Sequence, residues 1–441
     1  MSKIQVVWFR DLQTWSVALQ NTQKISSKFS LAMLREVLID LTKTRIFVID
    51  DNKFYQEPTI SSKTNLITAR KQGLGKEFKV KKRVLILPND LVIAKMHTQN
   101  GLYAFAKESF ASTTTFAPFE IVESKINKDY LFIILKMTLQ RLQKFDSVKR
   151  ETYTTDEILD LQIPLPPLEI QNKIVADIHA VQNKIKALQE EEKRLKDEIE
   201  AYIYITLGLQ KPQNTAKQKV FVVRFKDLER WDISYNQNIY KQESKNTKID
   251  TYLLQELCDI NPSVDMKELI KQDKNVSFIP MEVLENNGKS FAPISKKASL
   301  HKGFTKFQND DLLWAKITPC MQNKKSVVVS GLENGVGFGS TEFFVLRAKD
   351  SHKTDIHFIL QILRTDLVIE QAKLHFKGSA GQQRVPKDFL ENLQIPLPPL
   401  DTQKEMVAHI EQKTSHIQKL AQERIALRNS IESKLQEMLM D

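Results

Sequence analysis

The sequence predicts an α+β chain of two tandem mixed α/β domains, each followed by a long helix of coiled-coil character. Three observations predict it. The residues Leu161-Gln-Ile-Pro-Leu-Pro-Pro-Leu168 return unchanged at Leu393-Gln-Ile-Pro-Leu-Pro-Pro-Leu400. Each copy leads into a sustained three/four spacing of apolar residues. The unlike segments before the two copies also echo each other in order, at offsets that only grow. Ordered self-similarity over long periods marks a duplicated architecture. The segments so defined are 1–160, 161–212, 213–392 and 393–441.

The first block mixes helical periodicity over Phe29–Leu41 with β-like apolar runs at Arg45–Asp50, Arg83–Leu87 and Asp90–Ala94, another ending at Ile121-Val122. Tyr130–Phe145 reads as a helix with Leu131, Ile134, Leu135, Leu139 and Leu142 on one side. In Pro164-Leu-Pro-Pro167 the prolines forbid helix and favour a stiff extended hinge. A helix then starts near Glu169, an acid suited to the positive end of the helix dipole. Ile174, Ile178, Val181, Ile185, Leu188, Leu195, Ile199, Tyr202 and Leu209 form its stripe, broken at Glu192 and Thr206. About 40 residues at ~1.5 Å rise give a rod of ~60 Å. Gly208 and Pro212 end it, and 210–219 reads as a linker.

The second block opens with Phe225-Lys-Asp-Leu-Glu-Arg-Trp231, an echo of Phe9-Arg-Asp-Leu-Gln-Thr-Trp15 at an offset of 216. Asp311-Leu-Leu-Trp-Ala-Lys316 echoes Asp90-Leu-Val-Ile-Ala-Lys95 at 221. Ser340-Thr341 before Phe343 echoes Ser112-Thr113 before Phe116 at 228, and the hinges match at 232. This is the progression of two copies of one domain with insertions in the second. The second helix carries Met406, Ile410, Ile417, Leu420, Leu427, Ile431 and Met438 on the equivalent stripe. Arg424 stands opposite Glu192 in this alignment. The expected inter-helix packing set is therefore Ile178, Ile185, Leu188, Glu192 and Leu195 with Ile410, Ile417, Leu420, Arg424 and Leu427. The charged pair either fixes register between packed helices or simply snorkels on each.

Composition limits the function. A formal net charge of +11 is unevenly spread: the hinge-and-helix segments 161–209 and 393–441 carry −2 and −1, leaving +14 on the two blocks. A polyanion partner is the natural reading. Cys258 and Cys320 are too few for a disulfide framework or a zinc cluster, which fits core thiols in a reducing cytoplasm. No run approaches the ~18 apolar residues of a membrane span.

Catalytic signals fail on inspection. Gly73-Leu-Gly75-Lys76-Glu77 resembles the end of a phosphate loop, but Arg70 replaces its first glycine and Glu77 its Ser/Thr. Asn261-Pro-Ser-Val264 lacks the second proline and the aromatic of an amino-methyltransferase element, and reads as a turn capping the next helix. Asp310 and Asp311 precede Lys316, but Trp314 occupies the place of a nuclease's second carboxylate. His97, His301 and His375 read as polar surface groups, and no histidines share ligand spacing.

Two stretches have the composition of DNA-reading loops. The first is Lys316–Lys325, with Lys316, Thr318, Gln322, Asn323, Lys324 and Lys325; its first-block counterpart offers Lys95, His97, Thr98, Gln99 and Asn100. Lys suits guanine, Asn and Gln adenine, and Thr the thymine methyl. The second is Lys377–Arg384, where glycines such as Gly381 let the backbone approach a phosphate and Gln382, Gln383 and Arg384 can donate to phosphate or base. At the matching place in the first block, Lys149 and Arg150 remain.

The duplicated hinges with their following Gln171 and Gln403, the long helices, Asp311–Lys316, Gly337-Phe-Gly-Ser-Thr341 with Glu342-Phe343, and Gly381-Gln-Gln-Arg-Val-Pro386 together closely resemble the specificity (S) subunit of type I restriction-modification enzymes. The resemblance covers nearly the whole chain; the first block lacks the Gly-Phe-Gly and Gly-Gln-Gln-Arg elements. It implies two target recognition domains separated by two long antiparallel coiled-coil helices related by a pseudo-two-fold. Each domain would read half of a bipartite DNA target, and the rod would set the gap. It also implies a non-catalytic, cytoplasmic subunit without its own cofactor. Two modification (M) methyltransferase subunits would bring S-adenosylmethionine and flip adenines, and restriction (R) translocase/nuclease subunits would bring ATP and Mg²⁺ chemistry. A related system that cuts on both sides of its site, a stand-alone nuclease and a basic coiled-coil scaffold are the alternative readings.

Overall fold

A computed structural model describes residues 27–142, 152–209, 249–284, 291–379 and 381–439. The Phe9–Trp15 and Phe225–Trp231 echoes, the 210–219 linker, Lys149 and Arg150 lie outside the described residues. The chain forms two compact units, Met1–Ala187 with Glu423–Asp441, and Leu188–Gln422.

The first unit contains β1 (Leu31–Met33), β2 (Leu38–Asp40), β3 (Ile46–Val48), β4 (Phe54–Ile60), β5 (Ile67–Leu74), β6 (Lys82–Ile86), β7 (Leu91–Ala94), β8 (Tyr103–Phe105), β9 (Phe110–Ser112), β10 (Phe116–Ile121) and β11 (Gln162–Pro164). Its helices are α1 (Lys128–Gln140), α2 (Thr155–Leu159) and the first half of α3 (Leu168–Leu207). An antiparallel sheet ordered β2-β10-β7-β8 packs on α1. Leu91, Val92, Ile93 and Ala94 of β7 are all buried, which is why this strand reads as an unbroken apolar run. β3-β6-β9 and the β4–β5 hairpin complete the unit.

The second unit repeats this frame. It contains β12 (Thr251–Leu253), β13 (Cys258–Ile260), β14 (Asn275–Ile279), β15 (Ile294–Lys297), β16 (Thr305–Gln308), β17 (Leu312–Ala315), β18 (Ser326–Val328), β19 (Val336–Gly339), β20 (Phe343–Ala348) and β21 (Gln394–Pro396). Its helices are the rest of α3 with α4 (Leu254–Leu257), α5 (Lys267–Lys271), α6 (Ile356–Leu363), α7 (Asp366–Leu374), α8 (Lys387–Glu391) and the first part of α9 (Leu400–Leu439). The sheet β13-β20-β17-β18 matches the first unit's central sheet strand for strand, and its outer sheet is β15-β14-β19-β16. β14 and β19 run parallel. A Cβ on Gly339 would lie 2.2 Å from the Ile279 carbonyl oxygen, so the glycines of Val336-Gly-Phe-Gly339 serve strand packing.

Each hinge is itself a strand, pairing antiparallel with the first described strand of its own block: β11 with β1, and β21 with β12. Gln171 and Gln403, one turn into the long helices, are both fully buried. Gln171 Oε1 accepts the Asn127 N–H at 2.7 Å, and its Nε2 donates to the Lys125 and Pro166 carbonyls. Gln403 makes the same three bonds to Asp355 N–H, Lys353 O and Pro398 O. Asn127 and Asp355 are the N-caps of α1 and α6, so each glutamine ties hinge, long helix and domain helix together.

Within each unit the long helices pair antiparallel. In the second, Lys413 bonds Glu198 at 2.6 Å while Tyr202 packs on His409, so residue numbers rise on one helix as they fall on the other. In the first, Ile174 and Ile178 share a core with Leu435 and Leu439, and Lys184 pairs with Glu423 at 2.8 Å. Ile178, Ile185, Glu192, Leu195 and Ile410 of the expected stripe are buried. Leu188, Ile417, Leu420, Arg424 and Leu427 are half-buried. Near their C-termini the helices bury Ile203, Leu207, Leu435 and Leu439 beyond that stripe, because there they also pack on the globular cores.

Three local readings are corrected. Phe29–Leu41 is not a helix: β1, a 3₁₀ turn and β2 occupy it. A three-residue turn between two short strands places Leu31, Leu34 and Leu38 at the spacing a helix would use. The helix expected to reach Phe145 ends at Gln140. Asn261 does not cap a helix: its φ is +58°, and it brackets Val345 of β20 through N–H donation to the carbonyl and Oδ1 acceptance of the amide.

Candidate nucleic-acid interface

The two candidate loops of the second block come together at one end of β17. Lys316 N–H donates to Glu342 O at the start of β20. Val385 N–H donates to Lys316 O, Thr318 N–H donates to Gln383 O, and Ile317 bridges Arg384. Three segments distant in sequence are thus sewn edge to edge. Gly378 and Gly381 take φ of +108° and +84°, and a Cβ on Gly381 would meet nothing within 4 Å, so the second loop presents open backbone.

The first unit repeats the seam. Lys95 N–H donates to Thr115 O, Tyr153 N–H donates to Lys95 O, and Met96 bridges Thr152. This hydrogen-bond pattern aligns Lys95 with Lys316, Thr115 with Glu342 and Thr152 with Arg384. It also puts Phe116 level with Phe343, since each pairs with the last alanine of its central strand. Ser340 therefore aligns with Thr113, one residue from the sequence echo.

The buried acids that open the central strands explain how the loops are aimed. Asp311 is closed to solvent, accepts the Gln308 N–H and holds Arg347 through two bonds of 2.7 and 2.8 Å. Asp90 accepts the Leu87 N–H at 2.7 Å and pairs with Arg45. Burial pushes the Asp90 carboxyl up, against the pull of the Leu87 amide and Arg45. The neighbouring acids are thus turn-and-strand fasteners.

The candidate side chains divide. Gln382 and Asn323 are exposed and Gln383 is half-buried. Exposed Gln322 accepts the Thr318 hydroxyl at 2.8 Å. Lys316 stands over the Phe344 ring at 5.2 Å. Lys324 pairs with Asp366 at 2.6 Å and Lys325 donates to Met281 O, so both brace the loop from inside. Burial lowers Lys95 from the usual lysine range, with Asp40 opposing. His97 and Asn100 are exposed, and the half-buried Gln99 keeps a buried, unpartnered Oε1. Thr98 is a correction: it is fully buried with its hydroxyl on Ala94 O, so it cannot read a base from this position. His301 and His375 are half-buried, with Nδ1 against the Ala298 and Gln371 carbonyls.

Arg384 is not the free cation its sequence suggests. Its Nε lies 2.9 and 3.0 Å from the Glu342 carboxylate oxygens, Nη2 donates to Oε1 at 2.7 Å, and Nη1 donates to Gln382 O at 2.8 Å. Hydrogen bonding to Glu342 raises its pKa further. Glu342, 42 residues away, stands out in the sequence only as part of the Gly337–Phe343 motif and not as a site residue; an acid between the Ser-Thr pair and an apolar strand was the available signal.

Arg364, in the turn between α6 and α7, donates Nε to Ser326 Oγ at 3.0 Å and Nη2 to Ser326 O, just past the first loop. Burial lowers it to about 10. Cys258 is buried, and its thiol is pushed up to about 12 by that burial. Among the described residues no group of His, Cys, Asp and Glu is placed to hold a metal ion, and no helix is long and apolar enough to cross a membrane.

The comparisons with known proteins agree with this architecture. The model of the family "Type I restriction modification DNA specificity domain" matches residues 38–201 and 246–429. The type I restriction enzyme EcoAI specificity subunit of Escherichia coli is 36% identical over 172 residues, covering 38% of this chain and 28% of that protein. The EcoEI specificity subunit, also of Escherichia coli, is 36% identical over 156 residues, covering 35% and 26%. The matched stretch thus spans little more than a quarter of either relative. A chain in a solved structure concerned with assembly of "the type I R-M system" covers 94% of this chain and 98% of its own length, with a TM-score of 0.56 at 16% identity, a likeness of fold.

Proposed function

Because the chain belongs to the type I restriction modification DNA specificity family, we propose that it is the DNA-recognition subunit of a restriction-modification complex. Each unit reads one half of a split double-stranded target, the paired long helices set the gap, and the subunit itself supplies no chemistry. Two modification subunits dock and use S-adenosylmethionine to methylate adenine in each half-site. Restriction subunits, using ATP and Mg²⁺, act on the same assembly. The extents 1–160 and 213–392 are the proposed recognition domains; 161–212 and 393–441 are the hinges and spacer helices.

The observation that carries this reading is the repeated seam. In both units the loop after the fully buried central strand is stitched to the segment just before the hinge, presenting adaptable polar side chains on a rigid frame. The excess charge of +14 on the two blocks supplies the sequence-independent attraction.

The test is methylome sequencing of a host expressing the chain with its neighbouring methyltransferase subunit. Two short half-sites at a fixed gap, with N6-methyladenine on each strand, are expected. A continuous motif would overturn the two-headed reading. No new methylation, with both proteins soluble and associated, would overturn the recognition role in this pairing.

A further inference from the structure

The Glu342–Arg384 pair separates two kinds of DNA contact. A guanidinium carries five N–H donors. In Arg384, Nε and one Nη2 hydrogen go to Glu342, and one Nη1 hydrogen goes to the Gln382 carbonyl. Two donors remain, on adjacent nitrogens. The side chain is 42% exposed at the seam of the two loops, and Glu342 is 21% exposed beneath it. Together the two groups have no net charge, and an approaching phosphate meets a carboxylate as well as a guanidinium. The O6 and N7 acceptors of guanine carry no such charge and accept two parallel N–H donors.

We propose that Glu342 is a positioning residue that turns Arg384 from a phosphate contact into a base reader. It holds the guanidinium fork toward a guanine in the half-site read by the second unit and cancels its sequence-independent attraction for the backbone. This rests on the recognition role proposed above. Thr115 and Thr152 occupy the equivalent places in the first unit. The device is therefore confined to the second half-site.

The variant Glu342→Gln keeps the shape of the side chain but releases the charge of Arg384. The full chain, co-expressed with its methyltransferase subunit, is read in two ways. Methylome sequencing of the host genome should show one guanine position of one half-site relaxed, by roughly 5- to 150-fold in discrimination. The other half-site and the gap should be unchanged, which also reports that the complex is folded. Binding to a random-sequence duplex across a salt series should become tighter, with the log–log salt slope steeper by about 0.9, one additional phosphate contact. Arg384→Lys, which keeps the charge but loses the fork, should relax the same position and leave the slope near wild type.

An unaltered motif and an unaltered slope in Glu342→Gln, beside a clear split motif for the wild type, would overturn the positioning role alone. Loss of affinity equal across all sequences on Arg384→Lys would identify a phosphate contact and overturn it too. A wild-type complex without any split motif would instead sink the recognition role on which it rests.

Discussion

Replacing Gln403 by leucine should cost the second unit about 2–4 kcal/mol. The side chain is fully buried, and leucine has nearly its volume, so little cavity is made. What is lost is three hydrogen bonds. The Pro398 carbonyl is left buried without its 2.8 Å partner, and such an orphan costs about 1–3 kcal/mol. Asp355 N–H and Lys353 O lie nearer solvent and recover water, each losing about 0.5–1.5 kcal/mol net. Relief from desolvating the amide offsets part of the sum. For a unit of this size that is a fall in melting midpoint of roughly 5–15 °C, read by calorimetry of the full chain. Because Asp355 caps α6, hydrogen exchange should also quicken at the start of that helix. A midpoint within 1 °C of wild type would refute the latch, and would mean that the polyproline hinge positions the long helix unaided.

Asp311→Asn should destabilise the second unit by about 2–4 kcal/mol in a denaturant titration, since Arg347 keeps only partial access to water once its buried partner is neutral. Gly339→Ala should cost about 3 kcal/mol and remove amide protection along β14, because the new methyl group falls on the Ile279 carbonyl. Asp90 gives a pH test. Its folded pKa is raised, so the native state binds the proton more tightly than the unfolded chain, and this residue's contribution grows more favourable as pH falls through the folded value towards the ordinary ~3.9. On acidification towards the ordinary carboxylate value, wild type should therefore lose less stability than Asp90→Asn; parallel curves would count against that burial.

What was legible in the sequence was whatever depends on local pattern. The hinge repeat, the three/four stripe and the all-apolar β7 and β17 are all properties of short windows, and each corresponds to an element. What escaped depends on partners far along the chain. Nothing within residues 31–33 says that they pair with the hinge, 129 to 133 positions later, and without that pairing the spacing of Leu31, Leu34 and Leu38 imitates a helix. Thr98 has the composition of a base reader, but its hydroxyl is taken by a carbonyl one turn earlier. Lys324 and Lys325 look like free cations only until Asp366 and Met281 are placed beside them. Composition identifies which loop is polar; only three-dimensional accounting of donors and acceptors separates the groups that brace it from those that remain to bind.

By the same distinction, one frame can carry two different surfaces. The fasteners agree between the units: an aspartate opening the central strand, a glutamine beneath each hinge and a backbone seam at the strand's end. The seam is made by main-chain N–H and C=O groups, which every residue except proline supplies in full. Side chains at its surface can then differ without loosening it, as Thr115 and Thr152 differ from Glu342 and Arg384. A fold that fixes its loops through main chain and buried acids leaves the exposed positions free to specify the ligand, so the two halves of the chain keep one architecture while presenting different surfaces.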